Sequence, residues 1–233
     1  GLAALWTWAH KQDLVSKHIV QQVDRPKPQR RAIEPYTEKD IRSMLQALGR
    51  SRLYTRPRKR SSQHSTQYAD RHRAIILLLL DTGIRSSEIC QLRIHQVDLR
   101  NRTIKVLGKG NKERQIPISS RTSQSLWKYL ATRKDDDMGG HLFITSTGRG
   151  LDSGQLIRIL RRIGARAGVD HVTTHRFRHT FAINFLRNGG DVYSLQMLLG
   201  HTSLEMVRRY LAIAQADVQR AHQQASPVDN WRL

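Results

Sequence analysis

The sequence predicts a mainly α-helical protein carrying one small antiparallel β-sheet. Apolar residues recur at helical spacing along most of the chain, above all after about Ser119, where only Leu142, Phe143 and Ile144 break the period. Two alternating segments, Thr103, Ile104, Val106 and Gln115, Ile116, Ile118, bracket Gly108-Lys109-Gly110-Asn111-Lys112, which is turn chemistry for a β-hairpin. No repeat with a period of roughly 20–50 residues occurs, so a solenoid or propeller is excluded.

Each element has its own signal. Leu2, Leu5, Trp6 and Ala9, followed by Val15, Ile19, Val20 and Val23, predict helix over residues 1–24. Nothing precedes that helix for its tryptophans to pack on, and the chain starts with Gly1 and not Met. It is therefore expected to be the last helix of a truncated N-terminal domain. Arg25-Pro26-Lys27-Pro28 opens an extended linker over 25–35. Thr37-Glu38-Lys39-Asp40 is a capping box before the Ile41, Met44, Leu45 and Leu48 stripe, which Gly49 ends. A main domain is expected over 36–222, with a C-terminal tail over 223–233.

Residues 50–73 hold eight arginines and lysines against one acid, Asp70, and have no apolar period. Arg56, Arg58, Lys59 and Arg60 at its centre form either a solvated loop or a phosphate-contacting loop that orders on DNA. The apolar run that follows predicts a buried helix over 71–82, stopped by Gly83, and a short helix from Arg85 to Leu92.

Charge narrows the function. Forty Lys and Arg face 19 Asp and Glu among 233 residues, a net charge of +21. The isoelectric point is near 11.2. Hydrophobic residues make up 38% of the chain, enough for a folded core, so the excess is not that of a disordered tail. A polyanion must neutralise such an excess, and nucleic acid is the expected partner. A membrane surface is the weaker alternative, lacking an amphipathic anchor or lipidation motif. Ala74 to Leu80 is too short to cross a bilayer. Cys90, the single cysteine, excludes a disulfide framework and any cysteine-based zinc cluster, which fits a reducing, cytoplasmic interior.

Three short motifs carry candidate chemistry. In Thr82-Gly83-Ile84-Arg85-Ser86-Ser87-Glu88 an arginine opens a helix, with a glutamate three residues on; alone this is a capped helix start with an ion pair. In His175-Arg176-Phe177-Arg178-His179, His175 and Arg178 project together from the border of a face packed through Phe177, Phe181 and Phe185. His175 and His179 also have the spacing of a helical zinc pair, but the HExxH glutamate is absent and no third ligand suggests itself, so no metal is expected. Leu198-Leu199-Gly200-His201 precedes a helix with Tyr210 on one side. Alone, His201 is a capping histidine and Tyr210 a half-buried one.

Together they specify more. Arginine forks pair with phosphate oxygens and stabilise charge growing on a pentacovalent phosphorus. A tyrosine hydroxyl can attack once its proton is taken, and a lysine can protonate a departing alkoxide. No acidic cluster suited to Mg²⁺ and no GxxxxGK[ST] loop competes with metal-free phosphoryl transfer.

These motifs, in this order, resemble those of the tyrosine recombinases, the phage-integrase and Xer-like family. The resemblance covers roughly residues 36–222: a first arginine box at 82–88, a hairpin at 108–114, a second box at His175-x-x-Arg178-His179-Thr180, and a third at 198–201 with Tyr210 nine residues after His201. It implies the family's catalytic-domain fold and a site-specific recombinase that cleaves and rejoins DNA without metal, ATP or other cofactor. Tyr210 would form a 3′-phosphotyrosyl link; Arg85, Arg178 and His201 would hold the phosphate. Lys109 would protonate the 5′-oxygen, His175 would assist proton transfer, and Glu88 would orient Arg85. Lys112, Arg114 and Arg176 are expected to touch DNA. The resemblance further implies that residues 1–24 end a core-binding domain, and that four protomers assemble on recombination sites with a C-terminal segment docking into a neighbour. Trp231 is either such an anchor or part of a frayed end. A catalytically silent DNA-binding regulator, a type IB topoisomerase and a telomere resolvase are the rival readings.

Overall fold

The computed structural model describes residues 2–17, 34–49, 68–108, 113–133, 140–200 and 210. The chain divides into two compact units, residues 1–32 and 33–233. In the first, helix α1 spans Leu2–Lys11. Helical spacing predicts continuation to Val23, but the backbone leaves the helix at once: Asp13 adopts a left-handed φ of +54°, and the Leu14 amide closes onto the Ala9 carbonyl at 2.9 Å. Residues 18–24 lie outside the described residues.

The second unit opens with α2, Glu38–Gln46. Its capping box forms as the sequence predicts: the Asp40 amide donates to Thr37 Oγ1 at 3.1 Å, and the Thr37 amide donates to Asp40 Oδ2 at 2.9 Å. Helix α3, Ala69–Thr82, is the apolar helix, with Ile75, Ile76, Leu78 and Leu79 fully buried. Helix α4, Ser86–Gln91, follows after three residues.

The sheet has three strands in the order β1 (Val97–Asp98), β2 (Thr103–Leu107), β3 (Glu113–Pro117), all antiparallel. The hairpin β2–β3 is the one predicted. Ile104 pairs with Ile116 and Val106 with Arg114, so both isoleucines face the core while neighbouring Lys105 and Gln115 face out. Strand β1 was not expected, because two residues are too few to show alternation.

Four further helices follow among the described residues: α5 (Ser120–Thr132), α6 (Ser153–Ala167), α7 (Thr174–Arg187) and α8 (Val192–Leu199). Leu142, Phe143 and Ile144, the predicted break in the helical period, lie in an extended crossing secured by isolated bridges Arg93–His141 and Ile144–Gly150. A main core gathers α2, α3, the sheet, α5, α6 and Phe177 of α7. A smaller cluster joins Ala182 and Ile183 of α7, Leu195 and Leu199 of α8, and Tyr210. Among the described residues no helix is long and apolar enough to cross a membrane.

The turn from α3 to α4 rests on Gly83. Its φ of +60° is the left-handed end of α3, and a Cβ there would stand 2.6 Å from Phe181 Cδ1 and 2.9 Å from Leu199 Cδ2. Gly83→Ala is therefore expected to lower stability by roughly 2–4 kcal/mol, from left-handed strain and overpacking together. Urea unfolding with fluorescence detection measures it; a midpoint unchanged from wild type would contradict the close approach.

Candidate active site

Helix α8 ends at Gly200, which closes it with a left-handed φ of +62°. The carbonyls of a last helical turn have no intrahelical partner and carry the negative end of the helix dipole. Three arginines from three other elements take three successive ones. Arg114 Nε of β3 donates to Leu198 O at 2.9 Å, Arg178 Nη2 of α7 to Leu199 O at 2.8 Å, and Arg85 Nη2 at the start of α4 to Gly200 O at 3.1 Å.

Arg178 is 5% exposed and also donates from Nη1 to Gly83 O at 2.8 Å, so one guanidinium joins the α3–α4 turn to the end of α8. Burial pushes its pKa down to about 10, repulsion from Arg85 adds to that, and attraction to Glu88 opposes it. It remains charged at neutral pH.

Glu88 sits at the centre, 5% exposed. Its Oε2 accepts from the Arg85 amide at 2.8 Å and from Arg114 Nη2 at 2.9 Å; its Oε1 accepts from Arg85 Nη1 at 2.8 Å and Arg114 Nη1 at 2.9 Å. Burial alone would push the carboxyl up. The Arg114 fork and the Arg85 bonds outweigh it and hold the group below its ordinary value.

Tyr210 has helical backbone and is 2% exposed. It lies within electrostatic reach of Arg178. Its ring meets His179 edge-on at 5.1 Å between centroids, and His179 meets His175 in the same manner at 4.3 Å. Desolvation and the nearby Arg178 charge lower the His175 pKa, so His175 is neutral at pH 7.

The structure thus brings together Arg85, Glu88, His175, Arg178 and Tyr210. Lys109, Lys112 and His201 lie outside the described residues, as do Arg56, Arg58, Lys59, Arg60 and the C-terminal tail. Arg114 and Arg176 each bond protein acceptors. Arg176 Nε bonds Glu34 O at 2.9 Å and Nη1 bonds Asp170 O at 2.8 Å, while its guanidinium lies 4.1 Å from the Tyr36 ring centroid. His179, whose sequence signal was only its zinc-like spacing from His175, is the ring between His175 and Tyr210. Among the described residues no cluster of three or more His, Cys, Asp or Glu could hold a metal.

The phage integrase family model matches residues 37–217, and the chain belongs to that family. Among individual relatives, it is 37% identical over 161 residues to the tyrosine recombinase XerC of Corynebacterium efficiens, an alignment covering 67% of this chain and 51% of that protein. It is 29% identical over 223 residues to the XerC of Staphylococcus epidermidis, covering 94% and 70%. The chain thus spans only about half the length of the first of these relatives. Its fold matches the crystal structure of XerA recombinase with a TM-score of 0.69 at 28% identity, over 88% of this chain and 67% of that one. It also matches XerH site-specific recombinase bound to its palindromic difH substrate after cleavage, with a TM-score of 0.65 at 26% identity, over 84% and 53%.

Because Glu88 is depressed below its ordinary value of 4.5, its contribution to stability is present above that pH and is lost as pH falls through the lower folded value. Glu88→Gln should cost about 3 kcal/mol at pH 7, the low end for breaking a buried pair, since the Arg85 side chain is 37% exposed. The gap between wild type and variant should close below pH 4.5. A gap independent of pH, in denaturation series from pH 7 to 3, would mean that the carboxylate charge is not what holds the site.

Proposed function

We propose that this chain is the catalytic part of a site-specific DNA recombinase that breaks and rejoins strands through a 3′-phosphotyrosyl intermediate. The observation that carries the reading is the convergence of two partly or fully buried arginines with Tyr210 at the end of α8. Two guanidinia held by protein carbonyls are preorganised donors for the non-bridging oxygens of one phosphodiester, and preorganised charge is worth most where water is excluded. XerH, a structural relative, is described bound to its DNA substrate before and after cleavage, which supports DNA as the partner here.

Tyr210 Oη attacks phosphorus, the P–O5′ bond breaks, and the strand is left joined to the protein at its 3′ phosphate with a free 5′-hydroxyl. Arg85, Arg178 and His201 hold the charge that develops, and Lys109 gives the departing 5′-oxygen its proton. His175, neutral and separated from Tyr210 by the His179 ring, accepts the tyrosine proton in this reading, once Tyr210 is uncovered. Tyr210 is almost sealed from solvent, so attack follows a step that uncovers it for DNA. The bond energy stays in the phosphotyrosine, and a second 5′-hydroxyl reverses the step on another strand. Exchange between two duplexes needs four such sites, so the protein assembles as a tetramer on its target, with the C-terminal tail as the docking segment. In this reading residues 1–24 belong to a second DNA-contacting unit, and the basic stretch at 50–73 contacts phosphates.

Covalent capture tests the reading. The protein is incubated with nicked duplexes carrying a randomised core, the mixture is denatured, and protein-linked strands are sequenced. Wild type should yield a defined site and Tyr210→Phe none. Arg85→Ala and Arg178→Ala should lose about 100-fold or more in cleavage while keeping most of their DNA affinity. Equal adducts from wild type and Tyr210→Phe would remove Tyr210 as nucleophile; no adduct from either would favour a silent DNA-binding regulator. Relaxation of supercoiled DNA without site preference would point to a topoisomerase, and hairpin products to a telomere resolvase.

The pH dependence follows from His175. A lowered pKa keeps the imidazole neutral below its ordinary 6.5, so cleavage should hold its rate down to that pH and fall only beneath it. A single-turnover profile whose acid limb has its midpoint above 6.5 would assign the base to another group.

A further inference from the structure

Arg114 carries the strongest signal that the motifs do not absorb. It lies on β3 opposite Val106, one pair from the turn end of the hairpin. Its side chain is 14% exposed, against 37% for Arg85. Its two terminal nitrogens take both oxygens of Glu88 in a fork, and its Nε takes the Leu198 carbonyl. Gly200 lies directly against the guanidinium, where a Cβ would stand 3.0 Å from Nη1 and 3.1 Å from Cζ. Such a cation is built into the site and is not offered to a DNA backbone.

We infer that Arg114 is a positioning residue: it is the counter-ion of Glu88, and it lets that carboxylate orient Arg85 without neutralising it. The inference rests on the recombinase reading of the site. Glu88 steers Arg85 through its backbone amide and Nη1, yet a carboxylate paired with Arg85 alone would cancel the charge a phosphate needs. The charged groups facing Glu88 are Arg85 from the start of α4, Arg114 from β3 and Arg178 from α7. With Arg114 matched to Glu88, Arg85 and Arg178 together present two positive charges to one phosphodiester. Without it, Arg85 and Arg178 against Glu88 leave a net charge of only one. Arg85 has two of its five N–H groups committed, to Glu88 and Gly200, which leaves donors for a ligand. The fork ties β3 to α4 through Glu88, and the Nε bond ties it to the end of α8, so the hairpin is held against the elements that carry both arginines.

A double-mutant cycle on a duplex recovered by covalent capture tests this. Arg114→Met should slow single-turnover cleavage by about 10- to 100-fold, with DNA affinity little changed. Adding Glu88→Gln to that variant should restore about fivefold or more, because the uncompensated carboxylate is then gone. A double variant no faster than Arg114→Met, or Arg114→Met at the wild-type rate, overturns the inference. Independently of any DNA, ¹³C NMR of labelled glutamate carboxyls should show the Glu88 resonance, assigned by its loss in Glu88→Gln, titrating at higher pH in Arg114→Met. An unmoved midpoint overturns the inference even where wild type fails to cleave, a failure that strikes the recombinase reading instead. If Arg114→Met does not fold, Arg114→Lys takes its place. By keeping the charge and losing the fork it should cleave within about tenfold of wild type, and inactivity in a folded Arg114→Lys would overturn the inference.

Discussion

The end of α8 is the joint on which the rest of the site depends. A helix must stop with carbonyls unpaired, and here three successive ones are taken by guanidinia from β3, α7 and the start of α4. The donors lie 84, 21 and 115 residues away in sequence, so each bond is a long-range constraint. Water would satisfy the same carbonyls without positioning anything. Arginine satisfies them and fixes its own orientation in doing so, since its planar fork leaves the remaining N–H groups pointing in set directions. Gly83 and Gly200 follow from this geometry. One lets Phe181 and Leu199 close over the α3–α4 turn whose carbonyl Arg178 takes, and the other leaves room for Arg114 beneath the helix end.

Three arginines in a small volume repel one another, which adds to burial in lowering the Arg178 pKa. Glu88 is the only acid bonded to this group among the described residues, and it is shared between two of them. The balance of three arginines against one glutamate is positive, which on the proposed reading a substrate phosphate would complete. The net charge of +21 therefore contains at least two kinds of cation. Arg114 and Arg176 serve the fold's internal contacts, while Arg85, with the more exposed side chain, is available to a ligand.

That division was not legible in the sequence. The capping box at Thr37, the stop at Gly83 and the alternation around residues 103–118 were, because each is a local signal whose cause lies within a few residues. The motifs containing Arg85, Arg178 and Tyr210 were legible as a family resemblance, and α3, α7 and α8 bring those residues together. Arg114 and Arg176 read as surface cations because charge alone does not reveal whether an acceptor waits on a distant strand or carbonyl. His179 read as half of an absent zinc pair, since spacing shows which face a histidine occupies and not which ring it meets. Over residues 12–17 apolar spacing predicts helix where the backbone is not helical, because Asp13 takes the left-handed conformation and periodicity does not register a single backbone turn.

Tyr210 does not belong to the main core. It packs with Leu195, Leu199, Ala182 and Ile183 in the smaller cluster, whereas α3, the sheet and Phe177 hold the larger one. Free energies of local opening scale with the apolar contacts an opening breaks, so a residue in a small satellite cluster can be uncovered at less cost than one in the central core. The arginines are placed the other way: Arg178 grows from the helix that also carries Phe177, and Arg85 follows the turn that ends the most buried helix. On the proposed recombinase reading, the two arginines that would receive the phosphate are tied to the larger core, and the proposed nucleophile Tyr210 packs in the smaller one.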